Sequence, residues 1–332
     1  MTEKKENAAL NMLRAFACLW VIAVHLEQNV AMPGFLQQFC RAGSTGVEFF
    51  FILSGYLAYQ SLDRICEQDR KRGAINWWKK RAVRILPLYY VVILFYAVYF
   101  SGMGNVPVDE TGLGWIRYVL LLNQWIPSAE NFWVNLGAVW TISVFVFFYL
   151  IVPVYHRFIR SYRGSLAGIA VLYILARLVE RSTDWLRPLQ FLYLFAIGIT
   201  VYLAVKEKKE WNFTALVIPI LLLLSVKGSD SGILSAFLAA IFIAASSTVR
   251  MEWPFITKTA NVISAYSYSA YLIHACVVEV MTTHRPDSDV LYVLIFTAAT
   301  LIVTWFAYQL VEKRFSRLLL RRGKSKPEGA DS

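Results

Sequence analysis

Charge is what this chain has least of. Only 17% of its 332 residues are Asp, Glu, Lys or Arg, against 58% hydrophobic. A soluble domain of this size needs far more polar surface, so a soluble globular protein is excluded. Short alternating segments are missing too: the apolar runs are roughly 20 residues long, not the ten of a porin-like barrel. Histidine and cysteine number four each. Cys18, Cys40, Cys66 and Cys276 show no metal-ligand spacing, and there is no HExxH motif or carboxylate cluster, so no metal is expected. Cys40 alone falls on an outer loop, which excludes a disulfide framework. No serine sits in a G-x-S-x-G elbow. No internal repeat is evident, which weighs against a transporter built from duplicated halves. No short apolar stretch with a cleavage site opens the chain, so the first helix is expected to remain.

What is present is membrane helix. The pattern predicts an all-α polytopic membrane protein with spans at 13–32, 45–62, 84–101, 136–156, 165–182, 186–205, 212–227, 232–249, 261–281 and 289–310. The run at 113–127 is short and broken by Asn123, and is expected as an outer interfacial or re-entrant helix. Phe, Tyr and Trp, at 22, 18 and 11 copies, fit aromatic belts. Ten spans place both termini on one side. On that assignment 26 of the 33 cations fall on the side of the termini, which makes it cytoplasmic. The net charge of +11 then reflects basic loops facing anionic lipid, with no nucleic-acid partner. The expected layout is a cytoplasmic segment at 1–12, one transmembrane domain at 13–312 and a basic cytoplasmic tail at 313–332.

Ionisable groups inside such a chain are costly and mark function. His25 lies within the first predicted span, eleven residues after Arg14. That is roughly 16 Å of helix and close to three turns, so the two share a face. A neutral imidazole can take a proton from a hydroxyl nucleophile. The alternative is a satisfied histidine joining two helices. Glu48 opens the second span in GVEFFFILSGYL. It can orient the His25 ring, or be a structural acid bonded to backbone or to Arg41. Ser54 and Gly55 form a small pair suited to close packing or a bend. Lys80, Arg81 and Arg84, in KKRAVRILPLYY, suit phosphate binding at the mouth where Arg14 also lies, or serve topology alone. His274, in a helix opened by Tyr266, Ser267, Tyr268, Ser269 and Tyr271, reads as structural or pocket-lining. Ser54, Trp140, Tyr271 and His274 are the expected pocket-lining residues.

In order and spacing these segments resemble the acyltransferase-3 family of bacterial integral-membrane acyltransferases. The resemblance runs from about residue 10 to 320. It rests on LRAFACLWVIAVH, GVEFFFILSGYL and KKRAVRILPLYY, with weaker echoes in WTISVFVFFYLIVP, SYSAYLIH and LVEKRF. It implies O-acylation, most often O-acetylation, of extracytoplasmic acceptors such as glycans from an acyl-CoA donor, acetyl-CoA first, in the bacterial inner membrane. It assigns His25 as the essential histidine, Arg14 as its paired arginine, Glu48 as the acid after Gly-Val, and Arg81 and Arg84 as the donor-binding pair. One departure stands out: Phe145 occupies the position of a family glutamate. A transporter or flippase, or a non-catalytic member of a glycan assembly complex, is the alternative reading.

Overall fold

The computed structural model describes residues 7–66, 70–102, 114–125, 138–182, 186–208, 231–249 and 253–321. Their regular structure is entirely helical: α1 Ala8–Glu27, α2 Gly34–Ala42, α3 Gly46–Cys66, α4 Arg70–Gly102, α5 Gly114–Val119, α6 Val139–Phe158, α7 Tyr162–Ser182, α8 Leu192–Lys206, α9 Ser231–Thr248, α10 Pro254–Thr283, α11 Asp289–Phe306 and α12 Lys313–Arg321. Short 3₁₀ turns precede α3 and α8, and a π-helical turn at Ala307–Glu312 joins α11 to α12. Among the described residues six helices are long and apolar enough to cross a membrane. The chain is an all-α polytopic membrane protein. Helices α3 and α10, with 21 and 30 residues, are long enough but fall outside those six. Their polar side chains are used inside the bundle, as shown below. The predicted span 212–227 lies outside the described residues.

Two edges differ from the sequence pattern. Helix α1 starts about one turn earlier than the predicted span, because Asn7 caps it: the Asn7 side-chain Oδ1 accepts from the Ala9 and Leu10 amides at 3.0 and 3.3 Å. It also ends earlier, at Glu27, so His25 sits in its last turn. The segment after it folds into α2 rather than extending the span. Of the predicted run at 113–127, residues 114–125 are described, and among these the helical part is the six residues of α5. Residues 114–125 lie on the bundle, where Tyr89 and Tyr90 donate to the Tyr118 and Val119 carbonyls at 2.6 and 2.9 Å.

Packing divides into two apolar cores. One gathers α3, α8 and their neighbours, including Phe51, Tyr59, Phe148 and Phe195. The other gathers α4, α10 and α11, including Tyr89, Tyr96, Leu272 and Phe296. Val47, Phe50, Phe145 and Tyr149 pack against both and form the seam. The first core depends on a close helix crossing. A Cβ on Gly55 would collide with the Phe195 carbonyl, and one on Gly198 with the Ile52 carbonyl. Backbone meets backbone there, as small residues permit in membranes.

The ends of α3, α6 and α8 are tied at Asp63. Its carboxylate bonds His156 Nε2 at 3.1 Å, the Tyr202 hydroxyl at 2.8 Å and Lys206 Nζ at 2.5 Å. Asp63 lies just past the predicted span 45–62. Burial alone would raise its pKa, but the bonds from Lys206, Tyr202 and His156 outweigh burial and hold the carboxyl below the usual carboxylate range. A depressed folded-state pKa contributes stability that is present above the unfolded value, near 4, and is lost as pH falls through the folded one.

Gly55→Val or Gly198→Val should therefore destabilise the detergent-solubilised protein by about 3 kcal/mol or more in thermal unfolding. Gly34→Ala, where a Cβ meets nothing within 4 Å, should stay within about 0.5 kcal/mol of wild type. Asp63→Asn should cost about 1–3 kcal/mol at pH 7, and this difference should shrink below about pH 4; a difference that is constant with pH would remove the carboxylate from that role.

Candidate active site

Helices α1 and α10 run parallel, locked by polar contacts at nearly constant offset. Asn11 donates to Asn261 Oδ1 at 2.9 Å, the Cys18 thiol contacts the Ser267 carbonyl at 3.3 Å, and the His25 and His274 rings lie 5.1 Å apart between centroids. Residues 11, 18 and 25 are seven apart, so they fall along one stripe of α1. This pairing puts the two histidines side by side.

Both rings have a definable tautomer. His25 Nδ1 lies 3.2 Å from Gln28 Oε1, and His274 Nδ1 lies 3.1 Å from the Ala270 carbonyl. The Ala270 carbonyl can only accept, so His274 Nδ1 carries the hydrogen and its Nε2 presents a lone pair; with the Gln28 amide oxygen turned toward His25, the same tautomer is set there. His274 is fully buried, and its Nε2 has no hydrogen-bond partner among the described residues.

Toward the other end of α1 a pocket opens in the seam between the two cores. It encloses about 740 Å³, counting the part open to solvent. Its walls include Val47, Phe50, Ile142, Phe145, Tyr149 and Tyr271, and its polar lining includes Arg14, Arg81, Arg84, Ser54 and Ser267. Tyr271 links it to the histidines, with its ring 5.6 Å from Phe50 and 5.7 Å from His274.

The arginines are held in place. Arg84 Nε bonds Glu312 Oε1 at 3.3 Å, and the other oxygen of Glu312 accepts from Ser269 at 2.8 Å. Glu312 is buried and also feels the charge of Arg14. It reaches inward from the end of the π-helical turn, a distortion that re-aims side chains and recurs at functional sites. Arg81 donates to Ser61 Oγ at 3.1 Å and lies over the rings of Trp77 and Tyr149, at 5.3 and 5.5 Å. Its guanidinium plane is thereby fixed.

Of the residues singled out from sequence, Arg14, Arg81, Arg84, Ser54 and Tyr271 share the pocket, and His274 adjoins His25. Lys80 is exposed. Trp140 packs on Phe51 and Phe191 at 6.1 and 5.1 Å. Gly46 abuts Val21 and Ala17 of α1, one and two turns before His25. Glu48, further along the returning α3, lies roughly two to three turns from the imidazole, and its charge is felt at Tyr193 of α8. Arg41 pairs with Glu27 at 2.9 Å. Phe145 stacks among Phe51, Phe195 and Tyr149 at 5.1, 5.6 and 6.2 Å, and makes that pocket wall apolar. Sequence reasoning missed Glu312 and Gln28. The single acid in LVEKRF, closing a long apolar run, was the signal for Glu312.

Acyltransferase MdmB of Streptomyces mycarofaciens is 28% identical over 161 residues, covering 46% of this chain and 40% of that protein. O-acetyltransferase OatA of Staphylococcus aureus (strain NCTC 8325 / PS 47) is 28% identical over 159 residues, covering 45% of this chain and 24% of that protein. The chain thus matches less than half the length of these curated relatives. No solved structure matches it. The model of the acyltransferase domain family matches residues 7–309, so nearly the whole helical bundle just described is covered, and the chain belongs to that family of membrane acyltransferases.

Proposed function

We propose that the chain is an acyl-CoA-dependent O-acyltransferase of the bacterial inner membrane. It moves an acyl group, acetyl first, from cytoplasmic acyl-CoA to a hydroxyl of an extracytoplasmic acceptor, a glycan foremost. The observation that carries this reading is the convergence of Arg14, Arg81 and Arg84 on one pocket whose inner wall leads through Tyr271 to His274 and His25. Guanidiniums match phosphate oxygens as planar forks. Glu312 offsets one of the three positive charges, so the mouth stays cationic. The apolar walls suit an uncharged arm and a thioester. The excess of cations on the side of the termini supports a cytoplasmic arginine end, ten spans in all and an outer-facing His25.

In the proposed step the acceptor oxygen attacks the thioester carbonyl carbon. A C–O bond forms, the C–S bond breaks, the hydroxyl proton passes to His25 Nε2, and His25 returns it to the departing thiolate. Gln28 holds the ring in the required tautomer, and His274 packs against it. An acyl-histidine intermediate is the runner-up route. Glu48 stays in the proposal as a charge in the bundle wall; Gln28, by its bond to Nδ1, is the better-supported holder of the imidazole. Phe145 favours a second reading, a non-catalytic member of a glycan assembly complex, because a ring stands where the resembled family has an acid. A transporter or flippase would likewise consume no donor.

Purified protein in liposomes should release CoA from labelled acetyl-CoA, and His25→Ala should lower that rate by about 100-fold or more while still inserting. Normal release by the variant, or none by wild type, would sink the acyltransferase. Arg81→Gln or Arg84→Gln should raise the acetyl-CoA KM about tenfold. Glu312→Leu alone should cost about 1–2 kcal/mol in thermal unfolding, because Arg84, whose side chain is 36% exposed, loses its partner but keeps part of its hydration. Combining it with Arg84→Met should restore stability while KM stays high; a normal KM in the double variant would take Arg84 out of the donor site.

A further inference from the structure

We infer that a second cavity, at the Glu27 end of α1, is the docking site of the acceptor, and that its ligand is a neutral, hydroxyl-rich molecule of saccharide type. The role as acceptor site rests on the acyltransferase reading; the ligand chemistry rests on the cavity alone. The cavity encloses about 870 Å³, counting the part open to solvent, and is lined by Val24, Glu27, Gln28, Gln37, Arg41 and Ser44.

Its centre is a buried carboxylate. Gln37 Nε2 and Arg41 Nε both donate to Glu27 Oε1 at 2.9 Å. The Glu27 side chain is 5% exposed and that of Arg41 65%. Both bonds fall on one oxygen. Among the described residues Oε2 of Glu27, the terminal nitrogens of Arg41, Nε2 of Gln28, Oε1 of Gln37 and the Ser44 hydroxyl make no other hydrogen bond. The set is therefore two acceptors, two kinds of donor and one hydroxyl that is both. Adjacent hydroxyls, each donor and acceptor, satisfy such a mixture.

Charge narrows the class. The ion pair cancels, so the cavity favours neither an anion nor a cation. No group of three metal-ligating side chains occurs among the described residues, which leaves a divalent ion without a cage. The geometry is also braced. A Cβ on Gly43 would collide with the Trp20 carbonyl, so the 3₁₀ turn that carries Ser44 lies directly on α1, and Arg41 reaches Glu27 from the last turn of α2 just before it. Gln28 belongs to the cavity wall and also bonds His25. A hydroxyl docked here is one side chain from the imidazole, on the side of α1 away from the arginines.

The test is equilibrium dialysis of labelled chitotetraose, maltotetraose and xylotetraose against the full chain in nanodiscs, with CoA release from acetyl-CoA measured in parallel. At least one saccharide should bind, and Glu27→Gln and Ser44→Leu should each weaken it about tenfold. Ser44→Leu fills the cavity without touching the ion pair, so its effect does not depend on Glu27→Gln folding. Binding of none of the three to wild type, or unaltered binding by both variants, overturns the assignment. CoA release without saccharide binding overturns this cavity alone. Saccharide binding without CoA release overturns the acyltransferase reading and leaves the saccharide site standing.

Discussion

Polar contacts between α1 and α10 set the register on which the rest of the site depends. In a bilayer, apolar side chains do not select a partner helix, because lipid satisfies them equally well. An asparagine pair, a thiol on a carbonyl and two adjoining imidazoles have no such substitute. They fix which helices pair, in which direction and at which offset. Once that register is set, Arg14 faces the pocket at one end of α1, and His25 meets His274 at the other.

The pocket itself comes from the division of the hydrophobic core. Two well-packed clusters meet along Val47, Phe50, Phe145 and Tyr149, and the open volume lies at that junction. Backbone contact at Gly55 and Gly198 consolidates one cluster. The cationic mouth is then secured from the far end of the chain by Glu312. A buried carboxylate beside guanidiniums adds little net stability over an apolar pair, but it fixes where Arg84 points. Ser269 on the second oxygen completes the satisfaction of that acid.

Much of this arrangement is legible in the sequence. The all-helical membrane class follows from the length of the apolar runs. The shared mouth of Arg14, Arg81 and Arg84 follows from cations concentrated before the third predicted span, and the polar face of α10 from its run of tyrosines and serines. The position of Glu48 relative to His25 is not legible. It depends on α1 ending at Glu27 and on α2 filling the connection, which together set where α3 lies along α1. Glu312 and Gln28 escaped for a different reason. Their partners are 228 and 3 residues away, and neither a π-helical turn nor a side chain folding back from a helix end leaves a periodic mark in sequence.

The rigid stretch of α1 between Arg14 and His25 also acts as a ruler. It sets the guanidiniums and the imidazole roughly 16 Å apart along the helix. Anything gripped by its anionic end at the arginines must carry its reactive carbon across that length. On the proposed reading, a compact anion is held too far from the imidazole to react, and the distance selects donors by the length of the arm between charge and acyl group, before any contact with the acyl group itself.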